Sequence, residues 1–177
     1  MTVVRVATVA RIAILGAESS GKSTLAAALA AHYDTLWVPE YLREFVDTHQ
    51  RVPREADQDV IARIQIEREN AAALGARRFL FCDTTPCMTA LYSEVYWGRV
   101  SAPVAALAAM HDYALTLVTA PDGPWMPDGL QRESEAVRQP VHRMVLARLD
   151  ARAIDYTVVT GDPAQRIACV MRRLDAL

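Results

Sequence analysis

Short apolar runs alternate with longer stretches of helical period along most of the 177 residues. Arg11–Leu15 ends at Gly16, and Phe79–Cys82, Ala114–Thr119 and Tyr156–Val159 are runs of the same kind, with Leu36–Val38 a shorter one. All are too short for helices, and their apolar residues are successive rather than alternate, as in strands buried on both faces. Between them, Ser23–Tyr33 is rich in alanine and leucine and reads as a helix. Tyr41–Gln50 reads as a helix that stops near Pro53, and Glu55–Leu74 carries Val60, Ile61, Ile64 and Leu74 at helical spacings before Gly75. Pro86–Trp97 and Pro103–Met110 each start with proline, whose missing N–H costs nothing in a first turn. Val141–Arg152 and Pro163–Leu177 complete the set. The pattern predicts an α/β fold: a five-stranded parallel sheet flanked by helices, with ligands at the C-terminal strand ends.

From Ala120 to Gln139 the period is lost. Three prolines and two glycines precede a charged half. A loop of this length in a compact domain points to function, and residues 120–139 are expected to form a lid. With no repeat or linker, residues 1–177 are expected to be a single domain.

Composition narrows the class. The net charge of −2 offers no electrostatic reason to bind a polyanion, so no nucleic-acid partner is expected. Cys82, Cys87 and Cys169 form no C-x-x-C pair, and four histidines are scattered, so zinc is not expected. Arg5 and Arg11 interrupt the apolar N-terminus, and Pro103, His111 and Asp112 break the longest later apolar stretch. A soluble, cytoplasmic chain without membrane partners is therefore expected, its oligomeric state left open.

The chain has eighteen arginines and one lysine, and that lysine lies in Gly16-x4-Gly21-Lys22-Ser23, between a strand and a helix. This is the P-loop pattern in the context that gives it meaning. Glycines let the backbone curl around phosphates, and successive N–H groups from Gly16, Glu18, Ser19, Ser20 and Gly21 form an anion nest at a helix N-terminus. Lys22 would reach the β- and γ-phosphates, Ser23 would ligate Mg²⁺, and Thr24 would touch the α-phosphate. A narrow cradle needs a compact ammonium rather than a broad guanidinium, which explains one lysine among arginines. A guanine-reading Asn-Lys-x-Asp motif needs a second lysine, so a Ras-type GTPase is excluded and ATP is the expected nucleotide.

Two acids follow strands. Glu40 comes just after Leu36–Val38 and Asp83 just after Phe79–Cys82. Phosphoryl transfer needs a metal-organising carboxylate and a group that orients or deprotonates the acceptor, and these two acids could divide those roles in either order. Their plainer readings are an N-cap for Asp83 and a dipole-complementing acid for Glu40. Arg132 and Arg138 are the lid arginines available to the transferring phosphate. Trp125, Tyr92, Tyr96 and Trp97 are either core anchors or platforms for a flat ring.

In order, "GAESSGKSTL", "VPEYLREF", "DTTP", "YWG", "PWMPDGL" and "Y…VVTGD" cover nearly the whole chain from Arg11. The chain thus resembles the ribosylnicotinamide kinase domain of the NadR family. That resemblance implies a P-loop kinase-type sheet with a lid. It also implies transfer of the ATP γ-phosphate to the 5′-hydroxyl of nicotinamide riboside. Glu40, Arg43, Asp83, Tyr96, Trp97, Trp125 and Asp128 would then bind the substrate, and the Thr160–Asp162 segment around Gly161 would border the adenine. The family's lid reads D-G-x-R, whereas Gln131 stands here at the arginine position and Arg132 follows it. No H-x-G-H motif occurs, so the product would be the mononucleotide. The competing readings are a kinase for another nucleoside or small alcohol, and an ATP-binding switch with little catalysis.

Overall fold

A computed structural model describes residues 9–125 and 135–177. Five strands form one sheet: β1 (Ala10–Leu15), β2 (Leu36–Val38), β3 (Phe79–Asp83), β4 (Leu115–Thr119) and β5 (Thr157–Val159). Their order is β2-β3-β1-β4-β5, and every pairing is parallel. The expected α/β fold, a five-stranded parallel sheet flanked by helices, is therefore borne out.

The successive apolar residues of β1 divide between two cores. Ile12 and Ile14 join Phe79, Phe81 and Leu117 under α1 (Lys22–His32) and α7 (Pro163–Leu174). Ala13 and Leu15 join Val118 under α4 (Pro86–Trp97) and α6 (Glu135–Ala151). A central strand covered on both sides cannot alternate apolar with polar, as its sequence indicated. The remaining helices are α2 (Tyr41–His49), α3 (Gln58–Ala73) and α5 (Ala102–Met110). Among the described residues no helix is long and apolar enough to cross a membrane.

Two elements differ from expectation. The predicted helix from Glu55 is a 3₁₀ turn, Glu55–Asp57, followed by α3. Asp57 accepts from Arg54 N at 2.6 Å and pairs with both terminal nitrogens of Arg51, so the turn is closed by its own carboxylate. The Arg51 hydrogen bonds hold that carboxyl at about 2. The second difference is α6, which begins at Glu135 rather than Val141. Pro140 lies inside this helix and removes one i→i−4 bond without ending it. Residues 135–139, assigned from sequence to the lid, are therefore helical.

Candidate active site

The chain leaves β1 into Gly16, whose φ of 145° suits glycine alone. A Cβ there would lie 2.8 Å from Thr119 O and against Thr119 Oγ1. The loop is thus pressed onto the end of β4. Ser20 fastens it: its Oγ donates to Ala17 O at 2.7 Å and lies 2.6 Å from Thr119 Oγ1. Ser19 and Gly21 also have positive φ, 53° and 85°, which turns successive peptides into a nest ahead of α1. Lys22 is buried, and its Nζ donates to Ala17 O at 3.0 Å across the loop.

Asp83 ends β3, next to β1 in the sheet, and is buried. Ser23 Oγ donates to its Oδ2 at 2.5 Å, while Oδ1 is buried with no hydrogen-bond partner among the described residues. The N-cap of α4 is Thr85, whose Oγ1 accepts from Cys87 N at 3.3 Å, so Asp83 is not spent on capping. A hydroxyl and a carboxylate oxygen at the phosphate end suit a hard, oxygen-seeking cation such as Mg²⁺. No group of three or more acidic, histidine or cysteine residues that could cage a metal occurs among the described residues.

Two cavities are each walled in part by the loop. One, of about 510 Å³, is lined by Glu18, Lys22, Glu40, Arg43, Gln58 and Thr84, with Tyr92, Tyr96 and Trp97 as an aromatic wall. Tyr92 and Tyr96 stack at 6.0 Å, and Trp97 meets Tyr96 edge-on at 5.7 Å. Glu40 sits at the N-cap of α2 but makes no side-chain capping bond, and it pairs with Arg43 at 3.5 Å. The wall beyond is Val52 and Pro53, on the segment that the Arg51–Asp57 pair closes. Thr84 is held at φ 71°, a costly region for a β-branched residue, with its N–H bonded to Ile14 O at 3.0 Å. Its Oγ1 is buried without a hydrogen-bond partner among the described residues.

The other cavity, about 600 Å³, lies between Ser19–Gly21 with Thr24 and the segments around Asp122 and Gly161. Gly161 N donates to Asp122 Oδ2 at 2.7 Å, and Arg166 ion-pairs with Oδ1 of the same carboxylate. Partial burial pushes the Asp122 carboxyl up, but the Gly161 N–H and Arg166 outweigh it and leave it below its ordinary value.

Of the residues picked from sequence, Gly16, Glu18, Ser19, Ser20, Gly21, Lys22, Thr24, Glu40, Arg43, Tyr96, Trp97 and Gly161 line these cavities, while Ser23 and Asp83 line neither and are joined to each other by a hydrogen bond. Glu18, expected among the nucleotide contacts, lines the same cavity as Glu40. Arg138, expected on a lid, is instead fully buried on α6 and donates to Ser19 O and Gly123 O, each at 3.2 Å. Trp125 is half-buried, with Nε1 lacking a partner among the described residues, and it is not among the residues lining either cavity. Asp128 and Arg132 lie outside the described residues. Gln58, Thr84, Asp122 and Arg166 were missed. Their types carry no signal alone, and only the "DTT" after β3 could have drawn attention to Thr84.

With this geometry in place, comparison with known proteins is informative. A family model described as an AAA domain matches residues 11–166. The trifunctional NAD biosynthesis/regulator proteins NadR of Escherichia coli (strain K12) and Salmonella typhimurium are each 31% identical over 153 residues, 84% of this chain. The chain spans 37% of the length of those relatives. Among solved structures, NadR in complex with NR has a TM-score of 0.77 at 18% identity, covering 88% of this chain and 46% of that one. NadR in complex with NAD and AMP-PNP has a TM-score of 0.78 at 16% identity, covering 96% and 50%. Deoxyadenosine kinase from M. mycoides follows at 0.64 and 13%, covering 94% and 100%. The similarity to NadR read from the motifs is thus borne out. With the P-loop following β1, the strand between β3 and β4, the match over residues 11–166 establishes that the chain belongs to the AAA domain family.

Proposed function

We propose that this chain transfers the γ-phosphoryl group of ATP to the 5′-hydroxyl of nicotinamide riboside, giving nicotinamide mononucleotide and ADP. The observation that carries this reading is the cavity that joins Lys22 and Glu40 to an aromatic wall of Tyr92, Tyr96 and Trp97. The pyridinium of the riboside is flat and cationic, and such a ring is attracted to aromatic faces and to carboxylates. Glu18 and Glu40 are carboxylates lining that space. The 31% identity to NadR supports the same acceptor, as do the NadR structures with NR and with AMP-PNP.

ATP would lie with its base in the Gly161 cavity and its phosphates over Ser19–Ser23, and Lys22 would follow charge toward the γ-phosphate. Bound at Ser23 Oγ and Asp83, Mg²⁺ would neutralise charge on the phosphate oxygens. Asp83, already bonded to Ser23, suits the organising role, which leaves Glu40 in the acceptor cavity to orient the riboside hydroxyl and take its proton. Trp125 is a second aromatic candidate for the ring, and Asp128 and Arg132 remain candidates for substrate and phosphate contacts.

The deciding experiment is a screen of ADP release with Mg·ATP across nucleosides. Stimulation by nicotinamide riboside is expected. Stimulation by adenosine or a deoxynucleoside alone would replace the acceptor, and no stimulation by any acceptor despite ATP binding would leave a switch.

A further inference from the structure

We propose that Arg138 and Arg166 are positioning residues that hold the P-loop open for phosphate by gripping two successive peptide units from behind. The proposal rests on the reading that this loop binds ATP phosphates. Arg138, from α6, donates Nη2 to Ser19 O at 3.2 Å. Arg166, from α7, donates Nη1 to Ser20 O at 2.5 Å. In a planar trans peptide the C=O and the following N–H point in opposite directions. Fixing the Ser19 and Ser20 carbonyls therefore aims the N–H groups of Ser20 and Gly21 away from both guanidinium groups, into the nest.

Both arginines are built in rather than draped on. Arg138 is the largest fully buried side chain among the described residues, and Arg166 is 7% exposed. Each also reaches a second part of the site. Arg138 donates to Gly123 O at 3.2 Å. Arg166 donates to Ala120 O at 2.9 Å and Gly161 O at 2.8 Å, and it pairs with Asp122. Gly21 fits the same arrangement, because a Cβ there would lie 3.1 Å from Arg166 Nη1. The loop carries three residues of positive φ, Gly16, Ser19 and Gly21, so an external grip on its peptides removes conformations it would otherwise sample. Lysine could reach one carbonyl but not span several, so the chain's arginine preference serves a use here that its single lysine does not.

The test compares wild type with Arg138→Met, Arg138→Lys, Arg166→Met and Arg166→Lys. Binding of Mg·ATP and of inorganic tripolyphosphate, which has no base, is measured by calorimetry. Steady-state KM is measured for ATP and for nicotinamide riboside. Wild type that binds neither anion would overturn the phosphate reading itself. If wild type binds, each methionine variant is expected to weaken tripolyphosphate and ATP tenfold or more. The riboside KM is expected to stay within twofold, and Arg138→Lys to recover part of the loss. In nucleotide-free protein the carbonyl ¹³C resonance of Ser19 should shift in Arg138→Met, and that of Ser20 in Arg166→Met. Both KM values rising together would make the arginines merely structural and overturn the proposal. A fall confined to kcat would make Arg138 a phosphate contact and also overturn it. Should a methionine variant fail to fold, its lysine variant carries the same readouts, and unchanged anion affinity with unmoved carbonyl resonances there would overturn the proposal.

Discussion

Ser23 Oγ donates to Asp83 Oδ2 at 2.5 Å, tying the residue after the P-loop lysine to the end of the neighbouring strand sixty positions away. The other oxygen of that carboxylate is buried and open to a further ligand. Asp83→Asn keeps the shape but replaces one oxygen with a donor, which opposes a cation and the Ser23 hydroxyl alike. Turnover with Mg·ATP and nicotinamide riboside is expected to fall by about 10²–10³, with the melting temperature little changed. Near-normal ADP release would remove Asp83 from the mechanism.

Lys22 is the chain's one lysine, and it is buried across the mouth of the loop. Lys22→Arg preserves charge but forces a planar guanidinium into a space built for an ammonium. Its activity is expected to drop about a hundredfold or more, close to that of Lys22→Met. An arginine variant with wild-type kcat/KM would show that only the charge matters there.

Trp97 stands edge-on to Tyr96 in the aromatic wall of the cavity that Glu40 also lines. Removing the indole with Trp97→Ala should raise the riboside KM about thirtyfold, while the ATP KM stays near wild type, since a desolvated cation–π contact contributes about 2 kcal/mol. The same measurement on Trp125→Ala separates the two aromatic candidates. A riboside KM that moves only with Trp125 would transfer the stacking role to it.

Glu69, on α3, lies away from this chemistry and is wholly buried. Tyr113 Oη donates to its Oε2 at 2.8 Å, and its Oε1 has no partner among the described residues. Burial pushes its carboxyl up to about 7 from an ordinary 4.5. Between those values the folded chain keeps a proton that the unfolded chain releases, so stability falls as pH rises through the window. Glu69→Gln, already neutral, is expected to match wild type near pH 5. It should exceed wild type by up to about 3 kcal/mol near pH 8, as read from urea midpoints at both values. Wild-type and variant midpoints that stay parallel across that range would show that Glu69 is ionised throughout.

How much of this was legible in the linear chain differs from element to element. The strands were, because a strand with helices on both faces must be apolar at successive positions, and Phe79–Asp83 is buried at every one. The start of α6 was not. Pro140 removes one hydrogen bond inside the helix, but Val137, one turn before Val141, packs against the same cluster as Val141, Val145 and Leu149 and extends their row toward Glu135. The same competition misplaced Arg138. An arginine in a charged stretch reads as a lid residue free to reach a phosphate, yet the helix turns it inward to the carbonyls of Ser19 and Gly123.

By itself the sequence determined the phosphate cradle and the parallel α/β fold. Both rest on local physics, namely glycines that permit positive φ, a lysine of the right bulk and apolar runs of strand length. Only the tertiary structure decided which side of the cradle each group serves. It brings Glu18, Glu40, Thr84 and Trp97 to one cavity and Gly161 with Asp122 to the other. It also sets Arg138 and Arg166 behind the loop. Those placements follow from strand order and helix packing over separations of up to 146 residues, as in Ser20 to Arg166. No nearest-neighbour preference extends that far along the chain.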